Sequence, residues 1–103
     1  MNNAALTPHE LELILAVFRH HPEIKSVKLF GSRAKGTHTP RSDVDLAVGG
    51  DVDAIRAEAI AAELDELPLP YRFDVTPFDL IKHTPLREHI QRVGITVYPG
   101  IEP

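Results

Sequence analysis

The sequence contains no cysteine and no tryptophan, and its apolar residues never form a long run. Without cysteine, disulfide bridges and thiolate metal sites are excluded. No apolar stretch approaches the roughly 20 residues that a membrane-spanning helix needs. The first five residues lack the basic and apolar regions of a signal peptide. We therefore expect a protein without a membrane association, located in the cytoplasm.

Positive charge is also scarce, because 11 lysines and arginines face 15 aspartates and glutamates, giving a net charge of −4. Proteins that bind nucleic acid non-specifically neutralise its phosphates with many basic side chains. The balance therefore argues against extended nucleic-acid binding. A chain of 103 residues with 43% apolar residues fits one domain, residues 1–103, with little room for a second substrate-binding lobe.

Capping residues, apolar spacing and turn residues predict three helices and four strands. The helices begin at Thr7, at Asp51 or Asp53 and at Thr84, and the strands cover residues 26–30, 43–48, 71–76 and 95–98. This order predicts an α/β (α+β) fold, a small mixed sheet with the helices packed mainly on one face. We also expect Ile55 and Ala59 to lie on the apolar side of the second helix. Gly94 is expected to end the third helix in a left-handed conformation.

Two carboxylates lie side by side on the second predicted strand. Asp43 and Asp45 are two residues apart, so both point away from the face that carries Val44 and Leu46. Like charges on one surface repel and require compensation. Magnesium accepts carboxylate, water and phosphate oxygens, which makes a magnesium site the natural interpretation. Taken alone, an Asp-x-Asp pair is more often a capping or solvent-facing pair.

A third carboxylate, Asp74, lies inside the third predicted strand between Phe73 and Val75. Aspartate is depleted within strands because it packs poorly on a pleated surface. Three such residues on neighbouring strands are better explained by function, and two-metal sites catalyse phosphoryl and nucleotidyl transfer. Asp79 competes for this role, but it follows Pro77 in a predicted turn, so Asp74 is preferred.

A glycine–serine turn follows the first predicted strand. Gly31 allows the backbone to approach a ligand closely, and Ser32 with the amides behind it can bind a phosphate. Arg33, Lys35 and Arg41 add positive charge nearby. On its own, the turn is equally compatible with an ordinary loop.

The spacing between the turn and the first carboxylates adds specificity. Gly31-Ser32, ten residues and then Asp43-Val44-Asp45 resembles the signature of the DNA polymerase beta-like nucleotidyltransferase superfamily. The longer string GSRAKGTHTPRSDVDLAV is similar to the MNT (minimal nucleotidyltransferase) group, and the resemblance spans about residues 8–98.

The resemblance implies a palm-like sheet and Mg²⁺-dependent use of a nucleoside triphosphate, which we take to be ATP, with two metal ions. It implies that Gly31 and Ser32 hold the β and γ phosphates, and that Asp74 helps to activate the acceptor hydroxyl. The expected nucleotide-binding residues are Gly31, Ser32 and Arg33, and the expected catalytic and metal-binding residues are Asp43, Asp45 and Asp74.

The acceptor is the remaining question, because larger members of the superfamily carry an added helical domain for it and this chain does not. Stand-alone MNT proteins are typically antitoxins, encoded beside a helical HEPN toxin that is often a ribonuclease. The resemblance implies a complex with such a toxin and, in some systems, transfer of AMP from ATP to a toxin tyrosine. Two alternatives stay open: a binding-only antitoxin with a vestigial site, and a homodimeric nucleotidyltransferase acting on an antibiotic or metabolite.

Overall fold

The computed structural model describes residues 6–36 and 43–99, and it contains the predicted elements in the predicted order. A short helix and a 3₁₀ turn (Phe78–Leu80) are added to them. The helices are α1 (Pro8–Arg19), α2 (Ser32–Lys35), α3 (Ala54–Asp65) and α4 (Thr84–Val93), and the strands are β1 (Ile24–Phe30), β2 (Val44–Gly50), β3 (Phe73–Pro77) and β4 (Ile95–Tyr98). Within the described ranges, none of these helices has the length and apolar character needed to cross a membrane.

The start of α1 follows from its capping sequence. The backbone N–H of Glu10 donates to the Thr7 hydroxyl oxygen (3.1 Å), and the Thr7 N–H donates to Oε1 of Glu10 (3.0 Å). Pro8 occupies the first helical position, where its missing N–H costs nothing. This reciprocal pair fixes the direction in which the chain enters the helix.

The four strands form one mixed sheet in the order β3-β2-β1-β4. β1 runs antiparallel to both β2 and β4, whereas β2 and β3 are parallel. The register places Leu29 opposite Leu46, and Leu46 opposite Val75. Because successive residues of a strand alternate between faces, this register collects the apolar residues of three strands on one face.

That apolar face is covered by α1 and α3, as predicted for helices packed mainly on one side of the sheet. The two helices contribute Ile14, Phe18, Ile60 and Leu64, all of them buried, to the same core cluster as Val27, Leu29, Val44 and Leu46. The opposite face is covered in part by α4, since the side chain of Lys28 lies against Gly94 at the end of that helix. The buried Ile90 of α4 lies outside the main cluster.

Two local predictions are wrong. Ile55 is 79% exposed, because the buried side of α3 follows Ala57, Ile60 and Leu64 and a residue two positions from Ala57 lies about 200° around the helix. Ala59 is exposed as well. Gly94 is extended (φ −65°, ψ 146°), because the chain passes directly from α4 into β4. A Cβ atom there would meet the carbonyl oxygen of Ile90, so close packing explains this glycine.

Candidate active site

Two aspartates lie directly opposite each other on the central parallel strands. The register of β2 and β3 pairs Asp45 with Asp74, and the register of β1 and β2 pairs Phe30 with Asp45. Both carboxylates point to the face that α1 and α3 leave open, because Val44 and Phe73, their neighbours in sequence, are buried in the core. The strands therefore hold the pair at a fixed separation on an accessible surface.

Asp43 lies one residue before β2 and is exposed. Burial raises the pKa of the Asp45 carboxyl above its ordinary value, and the negative charges of Asp74 and Asp43 raise it further. The three predicted aspartates are therefore close enough for their charges to interact. A cation placed among them would relieve this repulsion and favour the ionised form of Asp45.

The donor set fits magnesium bound together with phosphate. Among residues 6–36 and 43–99, no three acidic or histidine side chains converge to form a complete metal cage. Magnesium, however, usually takes one or two protein carboxylates and completes its shell with water and substrate phosphates. Carboxylate oxygens that repel one another, such as those of Asp45 and Asp74, suit that partial coordination.

The glycine of the predicted phosphate turn touches the aspartate site. Gly31 has a positive φ of +81°, a conformation that glycine adopts without a steric penalty. A Cβ atom at this position would collide with Oδ2 of Asp45. The turn that ends β1 and the carboxylate on β2 are therefore in direct contact, as their expected roles at one site require.

Arg33, the third residue expected to bind the nucleotide, packs against an aromatic ring. It is only 2% exposed, and its guanidinium carbon lies 4.6 Å from the centroid of the Tyr71 ring. The Tyr71 hydroxyl in turn donates to Oε1 of Glu10 (2.9 Å). Through Tyr71, Arg33 links α2 to the segment before β3 and to Glu10 of α1, and nucleotide binding by Arg33 stays a prediction.

The role of Tyr71 as a support for the turn was not predicted from the sequence. An arginine beside a phosphate-binding turn suggests a ligand contact, and the aromatic ring that covers Arg33 is distant in sequence. The alternation of Tyr71, Phe73 and Val75 was the available signal, because it places an aromatic residue at the edge of the aspartate-bearing strand. Arg41 lies outside the described residues.

Asp79, the competitor of Asp74, is exposed within the 3₁₀ turn. It is not among the charges that raise the pKa of Asp45. Asp74, paired with Asp45 in register, is the better placed of the two.

Several solved structures of toxin–antitoxin systems share this fold. A chain in a toxin–antitoxin structure with AMP-PNP superposes with a TM-score of 0.74 and 25% identity, covering 89% of this chain and 74% of that one. A structure of a tri-AMPylated Shewanella oneidensis HEPN toxin in complex with an MNT antitoxin gives a TM-score of 0.66 and 22% identity, covering 88% and 70%. The second likeness shows the fold alone.

Sequence comparison also indicates a relationship to nucleotide-transferring proteins. A Methanocaldococcus jannaschii protein, by name a protein adenylyltransferase, is 46% identical over 35 residues, which are 34% of this chain and 35% of that protein. The chain therefore spans about a third of this relative. The sequence pattern of the family described as "Polymerase beta, Nucleotidyltransferase" matches residues 12–100. The resemblance predicted from the Gly-Ser and Asp-x-Asp spacing is thus confirmed, and the chain belongs to the polymerase beta nucleotidyltransferase family.

Proposed function

We propose that this chain is a magnesium-dependent nucleotidyltransferase that moves AMP from ATP to a hydroxyl group on a helical HEPN-type partner protein, and that it acts as the antitoxin of that partner. The observation that carries the proposal is the direct pairing of Asp45 with Asp74 beside Gly31. It joins a carboxylate pair to a turn whose glycine carries no side chain between the backbone and the site, which is an arrangement that suits nucleotidyl transfer.

Each part of the site has a distinct role in this proposal. The backbone at Gly31 and Ser32 binds the β and γ phosphates, and Asp43 and Asp45 supply carboxylate oxygens for magnesium. The metal, when bound, offsets the charge of the phosphates. Asp74 accepts the proton of the attacking hydroxyl, because its carboxylate lies beside Asp45 at the open edge of the site.

The nature of the partner is supported by the related structures and by charge. Solved structures similar to this chain include toxin–antitoxin structures, one with AMP-PNP and one with an AMPylated HEPN toxin. The chain carries a net charge of −4, and an acidic surface complements a basic, RNA-cutting partner. Such a pair would act in the cytoplasm.

The test is transfer of label from ATP to the purified partner in the presence of Mg²⁺. We expect labelling by the wild-type chain, and a loss of at least about 100-fold for Asp45→Asn and Asp74→Asn, the scale of a missing metal ligand or general base. Asp79→Asn is the matched control, since it removes an exposed carboxylate that lies just beyond the same strand. Full labelling by both site variants would show that these aspartates do not perform the transfer.

The same assay separates the alternatives. If Asp45→Asn still neutralises the toxin although no label is transferred, the chain acts by binding. If label appears on a small hydroxyl compound and never on the partner, the chain is a small-molecule nucleotidyltransferase.

A further inference from the structure

A concave feature lies on the same face of the sheet as the aspartates. It is a pocket of about 120 Å³ between β1, β2, the 3₁₀ turn and α4, which is room for about one aromatic ring. Its lining residues are Ser26, Lys28, Ala47, Gly49, Phe78 and Gln91. None of them belongs to the expected nucleotide or metal site, so the pocket needs its own explanation.

The strand register fixes where this pocket lies. Ala47 is two residues beyond Asp45 on β2 and pairs with Lys28 of β1, so the pocket begins about 7 Å along the strand from Asp45. Gly31 lies in the opposite direction, since it follows Phe30, the partner of Asp45. The carboxylate pair therefore stands between the phosphate turn and the pocket.

The order of phosphate turn, carboxylate pair and pocket matches the geometry of in-line nucleotidyl transfer. The attacking and leaving oxygens lie on opposite sides of the reacting phosphorus. If pyrophosphate leaves toward Gly31 and Ser32, as in the proposed function on which this inference rests, the acceptor must approach from the side of the pocket. We infer that the pocket lined by Lys28 and Phe78 holds the hydroxyl-bearing aromatic side chain of the acceptor protein.

The lining suits a ring that carries a hydroxyl group. Phe78 is half-buried and offers an aromatic surface for stacking or edge contact. The guanidinium of Arg87 lies 4.6 Å from the centroid of this ring, and its Nη1 donates to the carbonyl oxygens of Phe78 (2.9 Å) and Ile81 (3.3 Å). These contacts hold the wall of the pocket in place before any ligand binds.

Lys28 supplies the polar part of the pocket. It is half-buried, and within the described part of the chain its ammonium group forms no hydrogen bond or ion pair. An ammonium group beside a phenol hydroxyl favours its ionised form and so makes the oxygen a better nucleophile. In the transfer, this oxygen forms a bond to the α phosphorus of ATP. The bond from that phosphorus to the bridging oxygen breaks, pyrophosphate leaves with the electron pair, and the phenol proton passes to Asp74.

The absence of cysteine makes a direct occupancy test possible. Lys28→Cys introduces the one thiol of the chain, and its alkylation by iodoacetamide reports access to the pocket. We expect the HEPN-type partner to slow alkylation of this thiol at least about tenfold, the effect of a ring occupying the pocket most of the time, whereas AMP-PNP with Mg²⁺ leaves the rate unchanged. Lys25→Cys is the control, because Lys25 is exposed on the same strand outside the pocket.

Kinetics provide a second, independent reading. Phe78→Leu should raise the KM for the partner about tenfold, because one aromatic contact is lost. Its Kd for AMP-PNP should be unchanged. Lys28→Met is expected to lower kcat, and Lys25→Met to change neither constant. Protection of the thiol by AMP-PNP alone, or equal protection of both thiols by the partner, would overturn the inference.

The outcomes also distinguish this inference from the proposed function. If the wild-type chain labels the partner and the pocket variants label it equally well, the acceptor subsite is wrong and the proposed function stands. If the wild-type chain transfers no nucleotide to the partner, the proposed function fails, and the acceptor subsite fails with it.

Discussion

The backbone of Gly31 lies against the carboxylate of Asp45 so closely that no Cβ atom fits between them. This contact joins the end of β1 to β2 at the point where Asp45 also pairs with Asp74. Both halves of the Gly-Ser and Asp-x-Asp signature therefore share one surface, and a change in the turn must be transmitted to the carboxylate.

Replacement of Gly31 by alanine tests this contact, and Gly36 provides a matched control. Both glycines have φ of +81°, but among the described residues a Cβ atom at Gly36 would have no neighbour within 4 Å. Each alanine variant should lose about 1 kcal/mol of unfolding free energy from the left-handed conformation. Gly31→Ala must also displace the Asp45 carboxylate, so its rate of nucleotide transfer should fall at least about tenfold, on the scale of a misplaced catalytic group. Urea unfolding and initial rates measure the two effects, and equal rates for both variants would contradict the contact.

The raised pKa of Asp45 predicts a gain in stability when its charge is removed. Burial, Asp74 and Asp43 all raise this pKa, so the folded chain binds the proton more tightly than the unfolded chain does. Folding is thus favoured below the ordinary aspartate pKa and weakened as the pH rises through the raised value. At pH 7, Asp45→Asn should be more stable than wild type by up to about 1 kcal/mol, the scale of directly opposed cross-strand pairs.

Two further measurements check the origin of that gain. The difference between Asp45→Asn and wild type should disappear at about pH 3, where the carboxyl is protonated in both the folded and the unfolded chain. At pH 7, Mg²⁺ should raise the melting temperature of wild type more than that of the variant, since a cation relieves the same repulsion. A variant that is less stable than wild type at pH 7 would show that Asp45 has a structural role that outweighs its charge.

The sequence predicted the position of the aspartates because strand alternation is a local property. Once Val44 and Leu46 are assigned to the core, Asp45 must face the other side, and the same holds for Asp74 beside Phe73. The direct pairing of Asp45 with Asp74 was not predictable in this way. It depends on the register of two parallel strands that are separated in the sequence by α3.

Local spacing did not predict the surroundings of Ile55 and Arg33, because those surroundings come from distant parts of the chain. Because α3 contains many alanines, more than one of its sides is apolar enough to face the core. Periodicity alone therefore did not show that Ile55 faces solvent. Arg33 follows a phosphate-type turn and looks like a ligand contact until the ring of Tyr71 is placed over it. Both outcomes are set by tertiary packing, which local spacing does not contain.

The contact between Arg33 and Tyr71 gives a prediction with two graded variants. Tyr71→Phe keeps the ring under the guanidinium and loses the hydrogen bond to Glu10, which should cost about 1 kcal/mol. Tyr71→Leu also removes the cation–π contact and should cost about 1 kcal/mol more. Because Arg33 belongs to α2, the leucine variant should bind AMP-PNP more weakly, while the phenylalanine variant binds it as wild type does. Calorimetric titration measures the Kd for AMP-PNP. If Tyr71→Phe already weakens binding as much as Tyr71→Leu does, the lost hydrogen bond to Glu10 is the cause.

Two adjacent histidines allow a final test of how the helices are joined to the sheet. His21 is buried, with Nδ1 3.2 Å from Oε2 of Glu23 and Nε2 3.0 Å from Oε2 of Glu63. It thereby connects the end of α1 with the start of β1 and with α3. His20 is exposed, and its Nδ1 contacts the carbonyl oxygen of Ala16. His21→Ala should lose about 2 kcal/mol of unfolding free energy, the sum of a small cavity and broken polar contacts.

Substitution of the neighbouring His20 shows whether the loss of stability comes from the buried contacts of His21 or from removing any histidine at this position. His20→Ala should cost less than about 0.5 kcal/mol, as surface substitutions usually do. Urea unfolding of both variants measures the difference. Below its melting temperature, His21→Ala should transfer nucleotide at the wild-type rate, because α1 and α3, which His21 joins through Glu63, cover the face of the sheet opposite Asp45 and Asp74. A large kinetic defect in a folded His21→Ala chain would mean that the helical layer controls the geometry of the carboxylates through the sheet.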